Sequence, residues 1–388
     1  MKIALLTDGI YPWVMGGMQK HSYHLARYLA RSGVKVSLFH CVGENDPIPF
    51  QSGADPKFFN KKELENIDFW CARWPGRQDS LPGHYLRENR RYSQFIWQEI
   101  QQRPRKYDLI YAQGFTGWRC LKARKAGELD TPILVNFHGL EMFQKAPSFR
   151  VKLEHLSLRS ATKWNLKNAD YVSSFGGKIK EILENLRIDR KKIIEIPNGI
   201  EERWVENQAQ VNSDGIRRFI FIGRYERRKG IEELHAALRQ LVRDQSLKFE
   251  FHFVGPIPNK KQLQEKRIIY HGLIRESEKV EAILRECDVL VCPSHSEGMP
   301  TVILEAMAKG LAILATDVGA ISQLISNNGW LIGSIEPVYL KDELERIIGL
   351  KQENLTEKKI NSLNEVRERF LWEKVATTTI SKVQNKLA

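Results

Sequence analysis

Twice along the chain, short runs rich in β-branched and aromatic residues alternate with longer amphipathic stretches, and this repetition restricts the fold more than any other feature. The first series has runs at 2–8, 34–40, 107–113, 133–138, 171–175 and 193–197. Between the first two, residues 18–32 place Ser22, Leu25, Ala26 and Leu29 at helical spacing, and Gly33 is a natural stop. Strand, helix, strand in this order requires a parallel sheet. Pro197-Asn198-Gly199 closes the series in turn chemistry, and residues 201–215 are polar without a strong period. A second series then runs through 219–223, 249–255, 268–273, 289–293, 312–317 and 330–333. At 388 residues the chain is too long for one hydrophobic core. The expectation is an α/β protein of two doubly wound domains, 1–200 and 216–370, joined by a linker at 201–215. A helix over about 371–388 is expected to return to the first domain. Ligands of such sheets collect at the carboxyl ends of the strands, so with two sheets facing each other the cleft between them is the expected site.

Charge narrows the partners. With 60 Lys+Arg against 47 Asp+Glu the net charge is +13, which favours anionic ligands: phosphorylated compounds, membrane surfaces or nucleic acid. Five cysteines without C-x-x-C spacing argue against a disulfide framework or a zinc site and fit a reducing, cytoplasmic compartment. No apolar run approaches the roughly 18 residues of a spanning helix, and MKIALLTDGIYP lacks signal-peptide features, reading instead as a first strand.

The chemistry concentrates in three places. SHSEGMPTVILEAMAKG, residues 294–310, follows a buried-strand run and turns helical from about Thr301, with Glu297 before the helix and Glu305 inside it. Peptide N–H groups around Pro300, Thr301 and Val302 suit a phosphate, although Pro300 itself has none to give. A carboxylate that accepts two hydrogen bonds matches a vicinal diol, so two carboxylates flanking a phosphate site suggest a sugar on each side of it. Spacing alone also allows a plainer reading, in which both glutamates only favour a helix N-terminus, at about 0.3–1 kcal/mol each. GRYERRKG, residues 223–230, follows the first strand of the second series. Arg224 and Lys229 are placed to stabilise charge on a departing diphosphate, with Arg227 and Arg228 expected to be solvated; a basic surface turn is the alternative. MGGMQKH, residues 15–21, sets Gly16 and Gly17 between strand and helix, and FHGLE, residues 137–141, puts His138 at a strand's carboxyl end. His21 and His24 receive no role. Asp-x-Asp occurs nowhere, so the usual carboxylate pair for a divalent cation is missing.

Taken together, these motifs resemble the retaining glycosyltransferases of family 4, which have the GT-B fold. The resemblance rests on E-x7-E (Glu297 and Glu305), GR-x4-KG at 223–230, PNGI at 197–200 and FLWEKVA at 370–376, and it spans nearly the whole chain. It implies two Rossmann-like domains with the active site in the cleft between them. It further implies that Glu305 binds the ribose of a nucleotide sugar and Glu297 the donor sugar, with Gly298 and Met299 beside it. Arg224 and Lys229 would bind the diphosphate, Gly16 and Gly17 would line the donor phosphate and acceptor side, and His138 would contact the transferred sugar. The base would rest near His271, Gly272 and Leu273. The resemblance implies a donor such as UDP-glucose or another UDP-hexose, retention of configuration, and no required metal or other cofactor. Thr301 departs from the family's pattern, in which glycine and an aliphatic residue often follow the proline.

The acceptor is expected on the first domain, as a glycan or lipid-linked saccharide of polysaccharide biosynthesis. That domain carries arginines interleaved with Trp70, Trp74, Tyr85, Tyr92, Phe95 and Trp97 within residues 70–106. The segment could seat on anionic lipid at the cytoplasmic face of a membrane, or pack its aromatics into the core with its arginines solvated. Competing readings are a nucleotide-sugar epimerase or phosphorylase on the same architecture, a binding subunit without catalysis, and a nucleic-acid-binding protein. The last is disfavoured, because no nucleic-acid motif is present and the acidic pair would repel a polyphosphate.

Overall fold

All strand pairings between the named strands are parallel, and they make two sheets. The computed structural model describes residues 1–46, 48, 58–77, 83–103, 106–146, 148–212 and 214–387. These divide into two units: 1–143, 152–198 and 372–387 form the first, and 144–151 with 199–371 form the second.

In the first unit the strands are β1 Lys2–Leu6, β2 Lys35–Val42, β3 Ile67–Arg73, β4 Leu109–Gln113, β5 Ile133–Asn136, β6 Tyr171–Ser174 and β7 Ile193–Glu195, in sheet order β3-β2-β1-β4-β5-β6-β7. The helices are α1 Gly17–Arg31, α2 Lys61–Leu64, α3 His84–Gln102, α4 Trp118–Lys125, α5 Phe149–Asn168 (in this unit from Lys152), α6 Gly177–Asn185 and, from the far end of the sequence, Trp372–Leu387. Strands such as KIALL and LIYAQ are apolar almost throughout because helices cover both faces of a parallel sheet. Helix α1 buries Ser22, Leu25, Ala26 and Leu29 as its spacing predicts, and ends before Gly33, whose φ of 82° suits glycine. Trp372 and Val375 of the terminal helix pack into the same core as Leu25, Tyr28 and Leu29.

In the second unit β8 Arg217–Ile222, β9 Phe249–Val254, β10 Ile268–Gly272, β11 Val289–Cys292, β12 Ala312–Thr316 and β13 Gly329–Ile332 take the order β10-β9-β8-β11-β12-β13. Its helices are α7 Ile231–Leu241, α8 Ser277–Glu286, α9 Thr301–Ala308, α10 Pro337–Ile348 and α11 Gln352–Glu365; the terminal helix is therefore α12. Phe249, Phe251 and Phe253 alternate along β9 and share one face with Phe219 and Phe221 of β8, where they pack on Leu234 and Leu238 of α7. Burying each such ring contributes about 1.5–3 kcal/mol.

The segment 70–106 spans two elements, and part of its aromatic set packs into the core, as one of its two readings expects. It begins inside edge strand β3, which pairs with β2 from Ile67 to Arg73, and continues as α3; residues 78–82 and 104–105 lie outside those described. Tyr92 and Trp97 are buried, and Tyr92 Oη donates to the Thr7 carbonyl at 2.8 Å. Of the six aromatic residues singled out in this segment, Tyr85 and Phe95 are the exposed ones. Among the described residues, no helix is long and apolar enough to cross a membrane.

Candidate functional site

Both sheets reverse their strand order, and the crevice outside the carboxyl ends at such a reversal is where doubly wound sheets bind ligands. In the second unit the reversal lies between β8 and β11. The loop leaving β8 is 223–230, and the loop leaving β11 is 293–300. Backbone joins them, since the His295 N–H donates to the Arg228 carbonyl at 2.7 Å.

Glu297 is the centre of this cluster. It is 5% exposed, and its Oε1 accepts from Lys229 Nζ at 2.6 Å and from Ser294 Oγ at 2.8 Å. An Arg228 guanidinium nitrogen stands 3.7 Å from Oε2. A buried carboxylate requires such partners, because desolvation without them costs several kcal/mol. Ser294 is fixed in turn by Thr316 Oγ1, which donates to its carbonyl at 2.6 Å. Helix α9 then starts at Thr301 with Pro300 as N-cap and no side-chain capping bond, which leaves the first peptide N–H groups, of Thr301 and Val302, open to an anion. Glu305 is half-buried in the second turn of that helix, and Met299 is buried before it. Gly298 lends its carbonyl to the Ala320 N–H at 2.8 Å.

Arg224 lies just past β8, 68% exposed, with its Nε 2.9 Å from Glu226 Oε1. Arg227 and Arg228 are not simply solvated, contrary to expectation. Arg227 pairs with Glu233 and meets His295 at 3.2 Å, while Arg228 reaches toward Glu297 and is held by Glu226 at 2.9 Å. Residues 271–273 lie two strands from β8, at the end of β10. The His271 ring stacks on His252 at 5.3 Å with nitrogens 3.0 Å apart, the Gly272 carbonyl accepts from Gly255, and Leu273 is 62% exposed. Cys292, beneath the cluster, has its thiol pushed up to about 11 by burial, so it is no nucleophile at neutral pH.

The first unit gathers a separate set. Gly16 caps α1 in an extended conformation, and a side chain at Gly17 would meet nothing within 4 Å. His138 follows β5 with a φ of 50°, uncommon for a residue other than glycine, and its Nε2 meets Gln113 Oε1 at 2.8 Å. Two neighbours in this set carried no signal in the sequence. The His21 ring stands edge-on to His138 at 4.9 Å, with Nδ1 bonded to Asn198 Oδ1 at 2.6 Å. Burial lowers His21 to about 4 and, with His21 adding, holds His138 well below the usual imidazole range, so both are neutral at pH 7. Asp8, just past β1, accepts from Gln19 Nε2 at 2.8 Å, and burial raises its carboxyl to about 6.

That shift has a defined sign. The folded chain holds a proton on Asp8 that the unfolded chain, with a carboxyl near 3.8, releases; stability from this group is therefore full below about pH 4 and falls as pH rises to about 6. Asp8→Asn keeps the acceptor for Gln19 and is expected to raise the melting temperature at pH 7 while leaving it unchanged at pH 3.5. Melting curves across that range check the difference, and a lowered melting temperature at pH 7 contradicts it.

Two parallel-sheet α/β units, with cationic and acidic side chains at the strand reversal of the second, define a GT-B glycosyltransferase. Comparison with known proteins agrees. The model of Glycosyltransferase Family 4 matches residues 15–204, and that of Glycosyl transferases group 1 matches residues 216–349. The chain belongs to the GT-B glycosyltransferases of family 4 type. It is 26% identical over 290 residues to an uncharacterized glycosyltransferase of Methanocaldococcus jannaschii, covering 72% of this chain and 76% of that one. It is also 26% identical over 264 residues to a putative teichuronic acid biosynthesis glycosyltransferase of Bacillus subtilis, covering 65% and 64%. Among solved structures, an Escherichia coli trehalose-6-phosphate protein bound with UDP-2-fluoro glucose superposes with a TM-score of 0.74 at 13% identity, over 100% of this chain and 99% of that one, a likeness of fold.

Proposed function

We propose that the chain transfers a hexosyl group from a nucleoside diphosphate sugar, UDP-glucose or another UDP-hexose, to a saccharide acceptor in polysaccharide biosynthesis, with its anomeric configuration retained. The observation that carries this reading is the buried Glu297–Lys229 pair at the β8/β11 reversal, beside an uncapped helix start. The solved relative with a UDP sugar supports the donor class, and the relative named for teichuronic acid supports the pathway class.

In this reading the open N–H groups of Thr301 and Val302 and the charges of Lys229 and Arg224 receive the diphosphate. Glu297 grips hydroxyls of the donor sugar, Glu305 takes the ribose diol, and the base lies by 271–273. His138, neutral, contacts the transferred sugar as a hydrogen-bonding group, and Gly16 and Gly17 let backbone approach the donor phosphate. The anomeric C–O bond to the diphosphate breaks as the acceptor oxygen attacks on the same face, and a phosphate oxygen takes the acceptor's proton. The leaving charge is met by Lys229 and Arg224, so the proposal includes no metal. The acceptor is a glycan or lipid-linked saccharide reached in the cytoplasm. The proposal does not depend on a membrane-seated α3, two of whose aromatics, Tyr92 and Trp97, are buried.

A panel of nucleotide sugars, read by thermal shift and by transfer, tests the proposal. A donor at 100 times its Kd stabilises the folded state by about 2.7 kcal/mol. No shift with any of the panel defeats the reading, and epimerisation of the sugar nucleotide without acceptor moves it to a different enzyme class. Arg224→Ala is expected to reduce turnover by about 10- to 100-fold. Since its exposed pair with Glu226 contributes under about 1 kcal/mol, the melting temperature should barely change.

A further inference from the structure

A glutamine distant in sequence holds the main chain of Glu297. Gln144 Nε2 donates to the Glu297 carbonyl at 2.6 Å, and its Oε1 accepts from the Glu297 N–H at 3.4 Å. A primary amide matches a residue's own donor and acceptor, so one side chain engages both backbone polar atoms and leaves the carboxylate to Lys229 and Ser294. The two residues are 153 positions apart, and residues 144–151 group with the second unit although the chain on either side groups with the first.

The course of the chain into Gln144 is itself constrained. His138 and Leu140 have φ of 50° and 48°, a 3-10 turn spans Glu141–Phe143, and Arg159 Nε donates to the Met142 carbonyl at 2.7 Å. Strained backbone of this kind persists only where surrounding contacts over-determine it. Gly319, with φ of 58°, also approaches the Glu297 carbonyl closely. A Cβ there would stand 2.3 Å from the Glu297 carbonyl oxygen and 2.5 Å from that of Gly298. The Glu297 carbonyl thus has both the Gln144 amide and the Gly319 backbone close to it.

We propose that Gln144 is a positioning residue that fixes the Glu297 peptide, and through it the direction of the carboxylate toward the donor sugar. This rests on the reading that Glu297 grips that sugar. The nucleotide portion, bound through other groups, does not depend on Gln144. Removing it therefore separates affinity for a nucleoside diphosphate from use of the nucleotide sugar.

The test uses Gln144→Met, which keeps side-chain length and loses both hydrogen bonds, and Gln144→Glu, which keeps shape but sets an oxygen against the Glu297 carbonyl. Amide hydrogen exchange over residues 294–299, read without nucleotide, is expected to rise about tenfold or more in both. Turnover with UDP-glucose should fall about five- to tenfold, while affinity for UDP alone stays within about twofold of wild type. Unchanged exchange, unchanged turnover, or equal losses of affinity for UDP and UDP-glucose overturn the assignment, the last being the mark of a merely structural role. Failure of the wild type to bind either compound overturns the functional reading instead. The two failures are told apart because the exchange measurement needs no nucleotide.

Discussion

Lys229→Ala is expected to lower turnover by about 100- to 1,000-fold, the range typical of removing one preorganised charge from a developing anion. It is expected to destabilise the second unit as well. Lys229 and Ser294 share one oxygen of a carboxylate that is 5% exposed, so deleting the ammonium leaves Glu297 with Ser294 and a guanidinium at 3.7 Å. Leaving a buried group under-satisfied costs about 1–3 kcal/mol. The double mutant Lys229→Ala/Glu297→Gln separates the two effects. Neutralising the stranded carboxylate should recover most of the melting temperature while turnover remains low, because the leaving group still lacks its cation. Steady-state kinetics and melting curves on the wild type and both variants check this. Turnover within about tenfold of wild type in Lys229→Ala would remove the leaving-group role, whatever the melting curve shows.

The same pair shows which parts of the site can be read in one dimension. Strands surface as apolar runs because a covered parallel sheet buries both faces; VLVC and AILAT need no partner to be recognised. The loops 223–230 and 293–300 are legible because each must follow a strand and enter a helix at the sheet's carboxyl edge, where glycine and charge stand out. Edge strand β3 is harder to see. IDFWCAR is covered on only part of its surface, so it carries an aspartate and an arginine and resembles the basic aromatic stretch that follows. Within ERRK, nothing local tells which cation turns inward. Arg227 and Arg228 are ordered partly by nearby Glu233 and Glu226 and partly by His295 and Glu297, the latter two distant in sequence and supplied by the loop after β11. His21, Asp8 and Gln144 are silent for the same reason: each takes its meaning from a neighbour that the sheet topology brings near.

Gly230→Ala is expected to destabilise the second unit by about 3–5 kcal/mol, adding the cost of a left-handed conformation to that of overpacking. Gly230 closes the 3-10 turn at Arg227–Lys229 and caps α7 with a φ of 67°. A Cβ would lie 1.8 Å from the Pro293 carbonyl oxygen, and that obstacle is backbone at the end of β11, not a side chain free to swing away. Relief requires α7 to retreat from the strand, yet Ile231, Leu234 and Leu238 are fully buried against Phe219, Phe251 and Phe253. The protein therefore loses either core packing or the close approach that sets Lys229 against Glu297. For a unit of this size the expected fall in melting temperature is about 6–20 °C, at about 2–4 °C per kcal/mol. Gly17→Ala is the matched control, because a Cβ there meets nothing within 4 Å. Equal melting temperatures for Gly230→Ala and Gly17→Ala would show that the helix start tolerates displacement. The close packing of α7 on β11 would then not be what holds the ammonium at the carboxylate.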